Sequence, residues 1–176
     1  WGGFLAMAYA VRHPEHVAHL VLCDSSAPKW SDTDFILKDL FPEASERRDQ
    51  DDVLEAIGDA GAGVAAVKEY LSMLFVSSRK RDEFLAAASQ LHLNRAVNEA
   101  LNADLARIDL GPMLARLKMP VLVLTGRFDA NVAPSTAWRI HKAIPGSRFE
   151  VFEASGHLPF FEEPEAFARS IDRFLQ

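Results

Sequence analysis

A chain of 176 residues that is 49% hydrophobic and 25% charged carries enough apolar material for a packed core, which excludes a disordered or low-complexity segment. Its formal net charge of −6 gives no electrostatic reason to bind a nucleic-acid backbone or an anionic membrane surface, so the expected partner is a small molecule or short peptide. The single cysteine excludes an internal disulfide and suits a reducing, cytoplasmic setting, and no stretch approaches the roughly 20 apolar residues of a membrane span.

Residues 3 to 12 are apolar on nearly every face, which predicts a helix buried against a sheet, stopped by His13-Pro14. Leu20 to Cys23 is a short continuous apolar run, the pattern of a strand covered on both faces, and Asp24 to Pro28 break it. From about Ser31 to Asp109 no strand pattern appears. Acidic residues are in excess there and apolar residues recur at helical spacing: Val64, Val67, Leu71 and Leu74 in one stripe, Phe84, Leu85, Ala88 and Leu91 in another. The charge run Glu46 to Asp52 and the segment Gly58 to Gly63 read as solvated loops, and Leu105, Ile108, Met113 and Leu117 as a return into the core. Pro120 to Gly126 is a second strand. Pro134 to Ile144 follows as a helix ended by Pro145-Gly146, Arg148 to Ala154 alternates as a third strand with one solvated face, and Pro164 to Leu175 closes as a helix with proline at its start.

Strands alternating with helices imply an α/β fold: a parallel sheet between two helical layers, with sites outside the carboxyl ends of the strands. The domain reading is a core of residues 1–30 and 110–176 with a helical cap, 31–109, inserted between them. Asp24, Asp129 and His157 each follow a predicted strand, so they share one rim. A histidine can take a nucleophile's proton and return it to a leaving group, and Asp129, at the end of the preceding strand, can fix its tautomer and stabilise the imidazolium. Asp24 is the alternative acid. Cys23 reads as inert core, because apolar surroundings disfavour a thiolate. His13, His16 and His19 are spaced in threes, but Pro14 interrupts any helix and no carboxylate or cysteine pattern completes a site, so no metal is expected. His92 and His141 fall in predicted helices with no visible partner.

Trp1-Gly2-Gly3 runs directly into the first helix. In the pattern G-x-nucleophile-x-G the nucleophile sits on a tight strand-to-helix turn, with glycine two residues later because a side chain there meets neighbouring backbone. Gly2 fits that later glycine. The nucleophile is then expected just before Trp1, whose backbone N–H becomes an oxyanion-hole donor.

Trp1 to Val11, His13-Pro14-Glu15-His16-Val17, Gly126-Arg127-Phe128-Asp129 and Ser155-Gly156-His157 to Phe167 together resemble the α/β-hydrolase superfamily over the whole chain, as its part after the nucleophile. Trp1, the Gly126–Asp129 segment and the long cap look most like the proline iminopeptidase group. That resemblance implies a serine peptidase that removes amino-terminal proline through an acyl-enzyme, holds the free amine on cap carboxylates and needs no cofactor. Glu69 and Glu83 are the candidates for that amine contact. A carboxylesterase is the broader alternative. Epoxide hydrolases and haloalkane dehalogenases, with an aspartate nucleophile, also place Trp there, but the first imply two cap tyrosines and this chain has only Tyr9 and Tyr70. The rival from another class is a non-catalytic hydrolase-like module, and the chain by itself, without a nucleophile, is expected to be inactive.

Overall fold

The structure is a computed structural model that describes residues 1–88 and 94–176. Leu91 and His92 lie outside the described residues. Three parallel strands, β1 (Leu20–Cys23), β2 (Val121–Gly126) and β3 (Arg148–Phe152), pair in the order β1-β2-β3. Leu20 faces Val121 across the first ladder, and Val123 faces Phe149 across the second.

Alternation along these strands divides the core in two. Leu20, Leu22, Val121 and Val123 point to one side, where they pack with Phe4, Met7 and Ala10 of α1 (Gly2–Arg12) and with Ala137 and Ile140 of α8 (Pro134–Ala143). Leu122, Leu124 and Phe152 point to the other, against Phe174, Phe167 and Ile171 of α10 (Pro164–Leu175). Each fully buried Leu or Met contributes about 1.5–3 kcal/mol through burial. β2 is buried at every position, as the central strand of a three-layer α/β fold.

Two expectations at the amino end change. The helix α1 is buried on one face only, since Leu5 is 70% exposed and Tyr9 47%. On that outer face only the edge of Tyr9 meets described residues, His13 and His16. In β1, Val21 and Cys23 are half-buried rather than enclosed.

After β1 the chain leaves the sheet for the helices α2 (Leu37–Leu40), α3 (Pro42–Ala56), α4 (Ala60–Ser72), α5 (Ser78–Ala87) and α6 (Arg95–Leu105), and returns through α7 (Gly111–Leu114). The two ends of this helical segment meet in an antiparallel bridge between Lys29 and Asp109. The charge run Glu46 to Asp52 is not a loop: it lies inside α3, with Pro42 at its first turn and Arg48 reaching Asp52 one turn on. Gly58 to Gly63 is a loop only in part. Asp59 caps α4 by accepting from Gly61 N (2.9 Å) and Ala62 N (3.1 Å), so Gly61 and Gly63 are helical. The buried face of α4 is also rotated from the expected stripe. Ala62 and Ala66, followed by Met73 and Leu74, are buried, whereas Val64 is exposed, because small side chains let α4 lie close against α3. No helix among the described residues is long and apolar enough to cross a membrane.

Candidate active site

The site is built where two loops cross above the carboxyl end of β2. Phe128 N donates to Ser155 O (3.0 Å), and the backbone of the histidine loop passes so close to Gly126 that an added Cβ would stand 1.9 Å from Gly156 O. Only glycine fits at 126. Asp129 is then held by its own loop, its Oδ1 accepting from Asn131 N and Val132 N, each at 2.9 Å.

The other oxygen, Oδ2, lies 2.8 Å from His157 Nδ1. This pairing leaves Nε2 as the nitrogen that can accept a proton. Asp129 is 1% exposed, and the His157 side chain keeps a 20% exposed edge. Burial alone drives the imidazole pKa down, but the hydrogen bond and charge of Asp129, with the charge of Asp24, outweigh it and raise the pKa above the ordinary histidine value. Asn131 Nδ2 stands 3.2 Å from His157 Nε2 and also faces the Tyr70 hydroxyl, which descends from α4. Sequence reasoning did not single out Asn131. Its signal was its place two residues beyond the acid.

Asp24 joins Asp129 and His157 in one cluster but does not take the histidine's Nδ1. Its Oδ1 accepts from Gly126 N (2.9 Å), its Oδ2 from Cys23 Sγ (3.1 Å), and its backbone is in the left-handed region at φ 45°. Burial first, then the nearby Asp129, pushes its carboxyl up to about 8. Burial and Asp24 likewise push the Cys23 thiol far up, which leaves it no thiolate character.

Trp1 is the residue before α1 and packs its ring on Trp30 at 5.8 Å. No side chain among the described residues caps this helix start, so first-turn N–H groups face outward. The steric reason expected at Gly2 is absent among the described residues: an added Cβ there meets nothing within 4 Å. The tight glycine is Gly3, whose added Cβ would lie 1.8 Å from Ser25 Oγ.

Glu69 accepts from Arg47 (2.7 Å), and Glu83 pairs with Arg79 and Lys80. Both are thus engaged on the surface of the helical segment. Glu15 does stand beside His13 (4.0 Å) and His16 (3.5 Å), so a carboxylate accompanies two of the three spaced histidines after all; His19 packs elsewhere, edge-on to Phe174. His141 is packed, stacking on Phe149 with its Nδ1 2.7 Å from Ser147 Oγ.

Ile36, Leu40, Phe41, Met73, Phe75 and Phe128 line an apolar cleft of about 380 Å³ that reaches Asp129. A larger cleft of about 710 Å³, between Lys38 and Leu54, lies away from these groups and is edged by solvated charges.

A family profile described as "alpha/beta hydrolase fold" matches residues 1–164. The chain belongs to the α/β-hydrolase fold family. Among its relatives, a pimeloyl-[acyl-carrier protein] methyl ester esterase of Neisseria meningitidis serogroup B is 28% identical over 179 residues, covering 99% of this chain and 66% of that protein. A thermophilic esterase of Thermogutta terrifontis superimposes with a TM-score of 0.69 at 30% identity, covering 99% of this chain and 61% of that one. An alpha/beta fold family hydrolase of Bacillus anthracis str. Sterne superimposes at 0.76, with 19% identity and coverage of 98% and 64%, and speaks for the fold alone. This α/β-hydrolase chain therefore spans about two thirds of the length of the curated relatives it matches. The two named for an activity are esterases rather than proline iminopeptidases.

Proposed function

We propose that the protein carrying this chain is an ester hydrolase in which His157 is the general base and acid and Asp129 its orienting carboxylate. The observation that carries the reading is the 2.8 Å bond from Asp129 Oδ2 to His157 Nδ1, made by an aspartate whose other oxygen is fixed to its own loop. Such a carboxylate cannot swing away as the imidazole charges, so it holds Nε2 toward the reacting atom and stabilises the imidazolium.

In this reading the nucleophile, a serine, precedes Trp1, attacks the ester carbonyl as His157 Nε2 takes its proton, and forms an acyl-enzyme. The N–H of Trp1, at the positive end of α1, serves the oxyanion. His157 then returns the proton to the leaving alkoxide, and a water repeats the sequence to release the acid. The helical segment 31–109 acts as a cap, and its apolar cleft beside Asp129 suits an uncharged acyl chain. The esterases among the relatives support an ester rather than a peptide substrate. An aminopeptidase needs a cap carboxylate free to meet an ammonium, and Glu69 and Glu83 already hold cations of the cap.

The test is hydrolysis by the intact protein of short p-nitrophenyl esters beside proline and alanine arylamides. Ester cleavage lost in His157→Ala, with the arylamides untouched, is the expected result. Arylamide cleavage at comparable kcat/KM would return the assignment to the peptidase, and inertness to every substrate would leave the non-catalytic module.

A further inference from the structure

We infer that Glu162 is a positioning residue that clasps the helical segment to the histidine loop and so sets the Asp129–His157 geometry. Glu162 ends the one-turn helix α9 (Pro159–Glu162), a turn that follows His157 directly and that the sequence pattern did not announce. Its Oε1 accepts from Val76 N and Ser77 N, both at 2.9 Å, and its Oε2 from Gly156 N at 2.7 Å. One carboxylate thus satisfies three backbone donors from two segments far apart in sequence, the short turn before α5 and the residue just ahead of His157.

The contact is reinforced on both sides. His157 N donates to Leu74 O at 2.9 Å, and a Cβ on Gly156 would stand 2.3 Å from that same oxygen, so glycine lets the two backbones touch. Phe161, next to Glu162, packs edge-on to Phe84 (5.3 Å) and Phe75 (6.2 Å). The backbone on the amino side of the His157 Cα is therefore held from two directions, by Leu74 of the helical segment and by the crossing over Gly126 at the end of β2. Movement of that segment is transmitted to the imidazole, whose titratable neighbours are Asp129 and Asp24, with Tyr70 reaching it through Asn131.

Only an ionised carboxylate can fill this role, because all three partners are donors. Glu162→Gln keeps the shape and, with its one carbonyl oxygen, can still accept from Val76 N and Ser77 N; its NH₂ then confronts Gly156 N–H and cannot accept from it. The variant keeps the bonds to the helical segment and loses the one to Gly156 N in the histidine loop. Glu162→Ala loses all three.

The role rests on His157 being the base, and the experiment separates the two ideas. In the intact protein labelled with ¹³C-histidine, the His157 titration and the downfield proton of the His157–Asp129 bond are followed in wild type, Glu162→Gln and Glu162→Ala, alongside thermal melting and ester kinetics. The expected result is that Glu162→Gln melts near wild type yet shows a lowered His157 midpoint, a lost or broadened downfield proton, and kcat down on the order of tenfold or more with KM held. Unchanged imidazole signals in both variants, with melting lowered, would overturn the inference and make Glu162 a structural staple. If the wild type cleaves no ester but the imidazole responds as expected, the clasp stands and the esterase reading falls.

Discussion

Asp129 and Asp24 are both buried carboxylates within reach of His157, and they differ in what they already hold. Asp129 presents Oδ2 to His157 Nδ1, whereas Asp24 is occupied by Gly126 N and Cys23 Sγ. Asp129→Asn is accordingly expected to lower ester kcat on the order of 10⁴-fold by imposing the wrong tautomer, as in the serine-protease case, while Asp24→Asn keeps most activity. Steady-state kinetics on both variants decide it; the reverse order would make Asp24 the acid. With the neutral imidazole as the proposed base and its pKa raised, activity should fall with decreasing pH through a midpoint above the ordinary histidine value of about 6.5. The stability sign for Asp24 follows from its raised pKa: the folded state holds this proton more tightly than the unfolded chain. The contribution is complete below the ordinary aspartate range near 4 and is lost as pH rises through about 8. Urea unfolding at about pH 5 and about pH 8.5 should show that loss in wild type and a flatter dependence in Asp24→Asn, whose side chain tolerates the left-handed backbone at this position.

At the scale of elements, the site depends on two loops whose backbones nearly touch, and glycine makes that approach possible at Gly126, while Gly156 lets the histidine loop approach Leu74 of the helical segment. Gly126→Ala must push Gly156 O from a position 1.9 Å from the new Cβ, so a loss above about 2 kcal/mol is expected from chemical denaturation. A loss within about 0.5 kcal/mol would show that the loops separate easily at this crossing. By contrast, Glu69→Gln and Glu83→Gln alter only ion pairs on the surface of the helical segment and should leave KM for esters within about twofold. A large rise in KM for arylamides alone would instead identify an amine-binding carboxylate. The three strands and the helices α1, α8 and α10 were legible because continuous or alternating apolar runs ended at Gly, Pro or Asp, and the Asp129–His157 pair because both residues follow strands. The helical segment was harder to read. A run such as Glu46 to Asp52 is polar on every face, so it carries no apolar period, and only the ion pairs and Pro42 mark α3 as a helix. On α4 and at its carboxyl cap the buried face is drawn by Ala62, Ala66 and Met73, small or flexible residues that a search for Val and Leu overlooks. Asn131 and Glu162 were not foreseen because their roles arise from contacts with His157 and with backbone far away in sequence.

Over the whole molecule, the sheet has an open edge at β1. β2 is flanked by both neighbours, while among the described residues only β2 pairs with β1. The outer face of α1, beside the same open edge, presents Leu5 and Tyr9 to solvent, and Trp1 is 41% exposed. A free strand edge next to an apolar helix face is a template for pairing with another chain. The strand is only four residues long, which limits the hazard, but Val21 and Cys23 on it are half-buried apolar groups rather than the charged or proline residues that blunt natural edges. Residues 1–176 expressed alone are therefore expected to self-associate with rising concentration, and to do so less when Val21 is replaced by Lys, which places a charge on the edge. Light scattering coupled to size-exclusion chromatography over a hundredfold concentration range measures this directly. A monomer at all concentrations with a single cooperative unfolding transition would mean that β1 and α1 need no further cover, and would favour a self-sufficient module over a chain that forms its site only with a further segment. Self-association relieved by Val21→Lys, together with ester hydrolysis confined to a longer protein, would instead tie the open edge and the completion of the site to one neighbouring segment, because β1 leads directly into Asp24, which clusters with Asp129 and His157.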